Sequence, residues 1–423
     1  MTAEQTKLQG LSLAPFRALR PRVDAARLGR LLCPPYDVID DATRSRLLEG
    51  DADNAVAVIL PEQSPTGYAG AAARLQAWVD DRLYAVDPAA ALYVYELRDA
   101  SGHATRGLMG AVELRAAEDG VILPHENTMA GPVADRLAVM TATDADLEPI
   151  YLVYDGGGPA TEVVRGIDAD EPIAEAVTAD GIAHRLWPVR DSEAVRSAMT
   201  DLETRRALIA DGHHRYATYQ ERQRRRAAAE GGPGPWDRGL ALLVDSSEYG
   251  PQVHAIHRVV RGLDLAAAVQ ALAGSASVEP FDGAPAHALE RIAEGTGFAV
   301  VLTDGRQTYI AIDDAGRLRT AAGRAGEPEA LSELDVTVVH RTLVERVWGR
   351  ADDVETVGYA HSIDDALADA GRSGGFAVLV RPTPVAAVAA VAAAGARMPR
   401  KSTLFTPKPA SGLLMRRLGD QSS

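Results

Sequence analysis

RRALIADGHHRYATYQERQRRR, residues 205–226, decides how the rest of the chain is read. ALIA is a short apolar run suited to a strand, Asp211–Gly212 is a tight-turn pair, and from His213 onward the residues suit a helix ending in a basic run. A strand, a one-glycine turn and a helix start, in that order, offer backbone N–H groups and the positive end of a helix dipole to whatever sits at the turn. His213, His214 and Arg215 add donors, Arg215 can take phosphate oxygens two at a time, and Asp211 suits a metal ion such as Mg2+ or a proton. The bland alternative is that Asp211 caps the helix and the histidines satisfy backbone groups. The P-loop and GxGxxG spacings are absent, so the unit reads as a small phosphate cradle in an α/β setting.

Working outward, strands and helices alternate without the fixed period of a repeat array. AVAVIL at 55–60 reads as a buried strand and 67–86 as a helix, with Tyr68, Leu75, Trp78, Val79 and Leu83 at helical spacing. ALYVYELR and GLMGAVEL flank a turn-rich stretch and predict a hairpin. IYLVYD, LALLVD, FAVVLTD, TYIAIDD and FAVLVRP predict strands; LDVTVVHRTLVERVWG and an alanine-rich run near 263–273 predict helices. Breaks near 90 and 235 divide the chain into 1–90, 91–235 with an insertion about 155–205, and 236–423.

Further stretches carry candidate chemistry. In LPHENT, Glu126 stands in a loop after a strand, beside His125, where a carboxylate can take a proton from a hydroxyl nucleophile; a solvated loop charge is the alternative. Asp135 and Arg136 follow about two helical turns later. In VHAIHRVV, His254 and His257 are three apart on a predicted strand, which argues against their sharing a metal, whereas His257–Arg258 could hold an anion. In RMPRKSTLFTPK, Lys401, Ser402, Thr403 and Lys408 can hold a phosphate or carboxylate. Only Lys7, Lys401 and Lys408 are lysines, and two of them fall in this one stretch. PPYDVI at 34–39 is a fixed extended segment in which Asp37 reads as structural. Cys33 reads as a small buried apolar residue, and RQRRR at 222–226 as a solvated helix face.

Composition narrows the function classes. The net charge is −15 over 423 residues, which disfavours duplex nucleic acid and anionic membranes as partners. No apolar run reaches membrane-spanning length and the start lacks a secretory pattern, so a cytoplasmic protein is expected. A single cysteine excludes intrachain disulfides and thiolate-rich zinc sites.

Taken in order, PPYDVID, LPHENT followed by Asp135–Arg136, LEPIYLVYD, IADGHHRYATY, HAIHRVV, LDVTVVH and RMPRKSTLFTPKPASGL resemble a widespread bacterial and archaeal family of unknown function, often found near serine-biosynthesis genes. The resemblance covers about residues 14–416. A more distant one, over roughly 95–420, is to archaeal free-serine kinases, which use the ParB/sulfiredoxin fold and transfer phosphate from ADP. It implies that Glu126 is the base for the serine hydroxyl and that Asp211, Gly212, His213, His214 and Arg215 hold nucleotide phosphates. It also implies that Lys401, Ser402 and Thr403 close on serine or its phosphate. The sulfiredoxin cysteine position is His213 here, so a thiol relay is absent. The helix-turn-helix of ParB proteins is not found.

The expectation is therefore a mixed α/β protein with a ParB/sulfiredoxin-like core, an N-terminal extension and a C-terminal α/β domain. A nucleotide and a small hydroxyl amino acid would bind in the cleft between the two domains. The expected reaction is phosphoryl transfer from ATP or ADP, with Mg2+, to L-serine. His125 and Asp211 would assist Glu126, and His257, Arg258, Lys401 and Lys408 would hold substrate or product. A phosphatase, a kinase for another small alcohol, and a nucleotide-responsive binding module are the alternatives; the oligomeric state is left open.

Overall fold

The computed structural model describes residues 10–167 and 170–421. They fall into two compact units. The first runs to Pro251 and resumes at Pro407; the second is Gln252–Thr406. Both are mixed α/β.

In the first unit, a nine-stranded sheet is built from β1 (Leu13–Ala14), β2 (Leu92–Arg98), β3 (Ala104–Glu113), β4 (Ile122–Leu123), β5 (Ile150–Tyr154), β6 (Ala174–Val177), β7 (Ala183–Val189), β8 (Ala207–Asp211) and β9 (Arg238–Asp245). Their order is β4-β8-β5-β9-β3-β2-β7-β6, with β1 against β3. The predicted hairpin is the antiparallel pair β2–β3. Strands β2, β5 and β9 are buried almost throughout, as continuous apolar runs require when both faces are covered. Helices α1 (Pro65–Asp80), α2 (Ala130–Thr143) and α3 (His213–Glu230) pack in sequence, α1 on α2 and α2 on α3.

Three local expectations are corrected. Residues 55–60 are not a strand: Val56–Ile59 is a helical turn in a core with Trp78 and Tyr84. Buried Asn54 starts that turn by accepting from the Val56 N–H and donating to the Arg30 and Leu32 carbonyls. A six-residue run that is apolar throughout has no period to separate the two structures. The helix predicted over 67–86 ends at Asp80; Arg82 turns left-handed (φ 60°) and Tyr84–Val86 pairs with Leu19–Pro21. Arg222 is not on a solvated face: with Arg416 it is buried against Asp146. Cys33 is buried as expected, and burial pushes its thiol pKa up.

The key placement comes from β4 and β8. They are parallel neighbours, Ile122 opposite Ala207 and Leu123 opposite Leu208. Both therefore leave the sheet at the same end, and the chain reaches Glu126 and Asp211 after equal numbers of residues.

The second unit has a six-stranded antiparallel sheet of β10 (His257–Val260), β11 (Ser277–Pro280), β12 (Ala299–Thr303), β13 (Thr308–Ile312), β14 (Val357–Ala360) and β15 (Phe376–Leu379). The order is β11-β13-β12-β15-β10-β14. Helices α4 (Pro285–Ala293) and α5 (Ile363–Ser373) close its apolar face over Val259, Val301 and Leu379. The helix predicted from Leu334 begins as α-helix at Asp335 and widens into a π-helical turn over Val339–Val347. Among the described residues, no helix is long and apolar enough to cross a membrane.

Candidate functional site

The turn after β8 is shaped by Gly212, at φ 92°, and by Asp211, whose two carboxylate oxygens are both engaged. Oδ1 accepts from the Lys408 ammonium and Oδ2 from the Arg215 guanidinium. Burial penalises the Asp211 carboxylate, but the Lys408 and Arg215 charges outweigh it and hold its pKa below the usual carboxylate range. Burial likewise opposes the Lys408 ammonium, and the Asp211 and Asp37 carboxylates reverse this and raise its pKa. Lys408 also lies 4.0 Å from Asp37. Two expectations change here. Arg215 is buried, donating through Nη1 to the Pro149 carbonyl and through Nη2 to Asp211, so it braces the turn from below instead of presenting a fork to a ligand. Asp211, with both oxygens spent on cations, does not fit as a direct Mg2+ ligand. Among the described residues no group of three or more His, Cys, Asp or Glu is arranged to hold a metal.

The two histidines satisfy backbone groups, as the bland alternative had it, and the groups they satisfy belong to a distant loop. His213 Nε2 accepts from the His125 N–H at 3.2 Å, and His214 Nε2 accepts from the Met129 N–H at 3.1 Å. The His125 and His213 rings meet edge to face, centroids 4.6 Å apart. The start of α3 thus clips the LPHENT loop at two points on either side of half-buried Glu126. Both acceptor nitrogens must be unprotonated for this, which leaves each Nδ1 as the N–H of a neutral ring.

Beneath the turn lies a hub that the sequence reading quoted but did not use. The buried Glu148 carboxylate accepts from the Tyr36 N–H (3.0 Å) and the Ser411 hydroxyl (2.8 Å), with Arg136 at 3.9 Å. Arg136 lies over the Tyr36 ring, 4.1 Å from its centroid, and pairs with Asp135, which in turn accepts from the Tyr68 hydroxyl. Tyr219 donates to the Glu148 carbonyl. The Ala410 N–H donates to Tyr95 Oη, fixing the segment that carries Lys408. PPYDVID, LPHENT, Asp135–Arg136, LEP, DGHHRY and PKPASG therefore converge in one unit. Beside them runs a groove of about 720 Å³ between α2 and α3, lined by Leu114, Thr128, Met129, Val133, Ala217 and Gln220.

The remaining candidates lie in the second unit. His257 and Arg258, adjacent on β10, point to opposite faces, so they do not form one anion pair. His257 Nδ1 accepts from the Val380 N–H; burial, then the neighbouring Arg258 charge, bring its pKa down to about 4. Arg258 is fully buried and Ser402 donates to the Pro399 carbonyl, so neither faces solvent. Lys401 is exposed, at a left-handed φ of 52°, and Thr403 is half-buried.

No curated protein matches the chain. Solved structures similar to it include a free serine kinase variant in complex with ADP, 14% identical over 67% of this chain and 84% of that one, with a TM-score of 0.35. SbnI with a C-terminal truncation, from Staphylococcus aureus, is 12% identical over 74% and 90%, with a TM-score of 0.37. A conserved hypothetical protein from Pyrococcus furiosus is 18% identical over 71% and 94%, with a TM-score of 0.34. The profile of one family, described as "Protein of unknown function (DUF1015)", matches residues 13–337, and the chain belongs to that family.

Proposed function

We propose that the first unit, built on a ParB/sulfiredoxin-like core, transfers a phosphoryl group from ATP or ADP to the hydroxyl of free L-serine, giving O-phosphoserine. The observation that carries this reading is the pair of hydrogen bonds, 3.2 and 3.1 Å, that clip the Glu126 loop to the DGHH turn. They hold the backbone of the Glu126 loop against the start of α3, whose cap residue, Gly212, has no side chain to cap the helix-start amides. The nucleotide phosphates sit on those amides, with the Lys408 ammonium beside them, and the base occupies the groove along Thr128, Met129 and Ala217. Glu126 takes the serine hydroxyl proton as the oxygen attacks the terminal phosphorus. The bond from that phosphorus to the bridging oxygen breaks, and the electron pair leaves with the shortened nucleotide. Positioning and charge neutralisation supply most of the rate, as expected where bond making is loose. The acceptor class follows from the likeness of the motifs to free-serine kinases.

Pure protein with serine, Mg2+ and ATP or ADP should yield phosphoserine, followed by mass spectrometry or 31P NMR. Glu126→Gln should lower turnover by about 10²–10⁴-fold, the usual contribution of a general base, while nucleotide affinity stays within a few-fold. Full activity in that variant would remove Glu126 from the mechanism.

A further inference from the structure

Lys408 stands between Pro407 and Pro409, neither of which has an N–H to donate. The first backbone donor after the lysine is therefore the Ala410 N–H, and buried Tyr95 Oη accepts from it at 3.1 Å. One residue on, Ser411 and Cys33 exchange backbone hydrogen bonds of 2.8 and 3.3 Å. The lysine segment is thus tied down just behind its charge, and the tie at Ala410 runs further into the fold. Tyr95 Oη is 2.8 Å from His184 Nδ1, and His184 Nε2 is 3.0 Å from Thr178 Oγ1. The Thr178 hydroxyl in turn reaches Asp180 Oδ1 and, at 3.2 Å, the Ile182 carbonyl.

The two ends of this chain of hydrogen bonds set its direction. The Ala410 amide can only donate; the Asp180 carboxylate and the Ile182 carbonyl can only accept. Thr178 therefore donates outward and accepts from a His184 Nε2–H, which leaves Nδ1 to accept from the Tyr95 hydroxyl. Burial brings the His184 pKa down to about 4, so the ring stays neutral, with the one N–H and one lone pair that the chain needs. Two apolar side chains would fill the same space in β2 and β7 without desolvating polar atoms. The polar pair adds a fixed direction, and hydrogen bonds aligned head to tail strengthen one another. The far end, Thr178–Ile182, is the turn between β6 and β7, in the stretch that reads from the sequence as an insertion.

We infer that Tyr95 and His184 are positioning residues for Lys408: the one-way chain from the Ala410 N–H to the β6–β7 turn fixes the lysine segment where its ammonium can meet a ligand phosphate. The ammonium reaches Asp211 from this segment, so the same tie sets its distance from the DGHH turn. The inference rests on the phosphotransfer reading for the phosphate that Lys408 meets, but its test does not need turnover.

Full-length protein labelled with 13Cε-lysine gives signals from Lys7, Lys401 and Lys408, and Lys408→Gln assigns the last. In the parent protein that signal should shift saturably with ADP and with inorganic pyrophosphate, and the His184 ring nitrogens should show the proton on Nε2. Tyr95→Phe should weaken ADP binding about fivefold, the effect of one hydrogen bond, and move the Lys408 signal of the free protein. His184→Ala should do the same, and His184→Asn, which keeps an acceptor near the place of Nδ1, should restore most of both. A role in packing alone would lower the urea midpoint of Tyr95→Phe and His184→Ala while the folded proteins kept the parent's affinity and Lys408 signal. That result, a proton on Nδ1, or no response of Lys408 to either probe in the parent would overturn the inference. Phosphoserine formation is measured separately; its absence with the Lys408 response intact removes the phosphotransfer reading alone.

Discussion

Asp211 in the first unit and Arg258 in the second are both buried ions, and they are stabilised in opposite ways. Asp211 sits between two cations, Lys408 and Arg215. Arg258 has only neutral acceptors. The first arrangement pairs each carboxylate oxygen with a cation and locks a turn; the second gives the guanidinium neutral acceptors alone, with the Asp352 carboxylate one imidazole away. The contrast can be broken by charge removal. Asp211→Asn strands two buried cations and should cost about 3–5 kcal/mol. Arg258→Met removes an unpaired charge at the expense of three neutral acceptors, and these effects offset to within about 2 kcal/mol of zero. Urea unfolding of the two variants measures both, and equal losses would show that the two ions are held alike.

Acid should sharpen the same contrast. His184 in the first unit and His257 in the second are each brought down to a pKa of about 4, chiefly by burial. The unfolded chain protonates near 6.5, so it takes up protons first. The stability from each neutral ring is complete above 6.5 and is lost as pH falls towards 4, about 3 kcal/mol apiece. His184→Gln and His257→Gln should each flatten that slope, read from unfolding midpoints at pH 7 and 4.5. Asp211 adds a step in the first unit alone. Its folded pKa is lowered, so its contribution is present above the unfolded carboxylate value and lost as pH falls through the folded one. Hydrogen exchange should then show amides near the turn losing protection below pH ~4 more steeply than those of β10.

Much of this was legible in the residues. Strand, turn and helix over 207–230 follow directly from ALIAD, Gly212 and the residues after it, and β2, β3, β5 and β9 follow from long apolar runs. What stayed hidden was pairing at long range. Nothing in LPHENT announces that β4 will lie parallel to β8, although that register is what brings residues 126 and 211 together. The role of His213 and His214 as acceptors for a loop some eighty-five residues earlier was hidden for the same reason. Lys401 and Lys408, seven apart in sequence, looked like one cluster, yet Thr406 and Pro407 fall in different units. Asp37 and Glu148 were quoted inside motifs and given no chemistry, because a carboxylate shows its worth only once its partners are known. Arg258 carried the opposite error: its charge suggested a ligand contact, and burial makes it a brace.

The smallest expected effects concern backbone handedness, where the units again differ in sign. Gly212 is left-handed at φ 92°, and a Cβ there would stand 3.1 Å from the Arg215 Cζ and Nε. That guanidinium cannot retreat without giving up Asp211 and the Pro149 carbonyl. Gly212→Ala should therefore cost about 1–2 kcal/mol in backbone strain alone, with further loss if Arg215 shifts. Lys401 already carries a Cβ at φ 52°. Lys401→Gly relieves that strain while adding unfolded-state entropy, so stability should change by less than about 1 kcal/mol. Thermal unfolding of both variants reads the difference. A Gly212→Ala protein as stable as the parent would mean that the turn does not need its left-handed residue, and the clip between α3 and the Glu126 loop would lose its anchor.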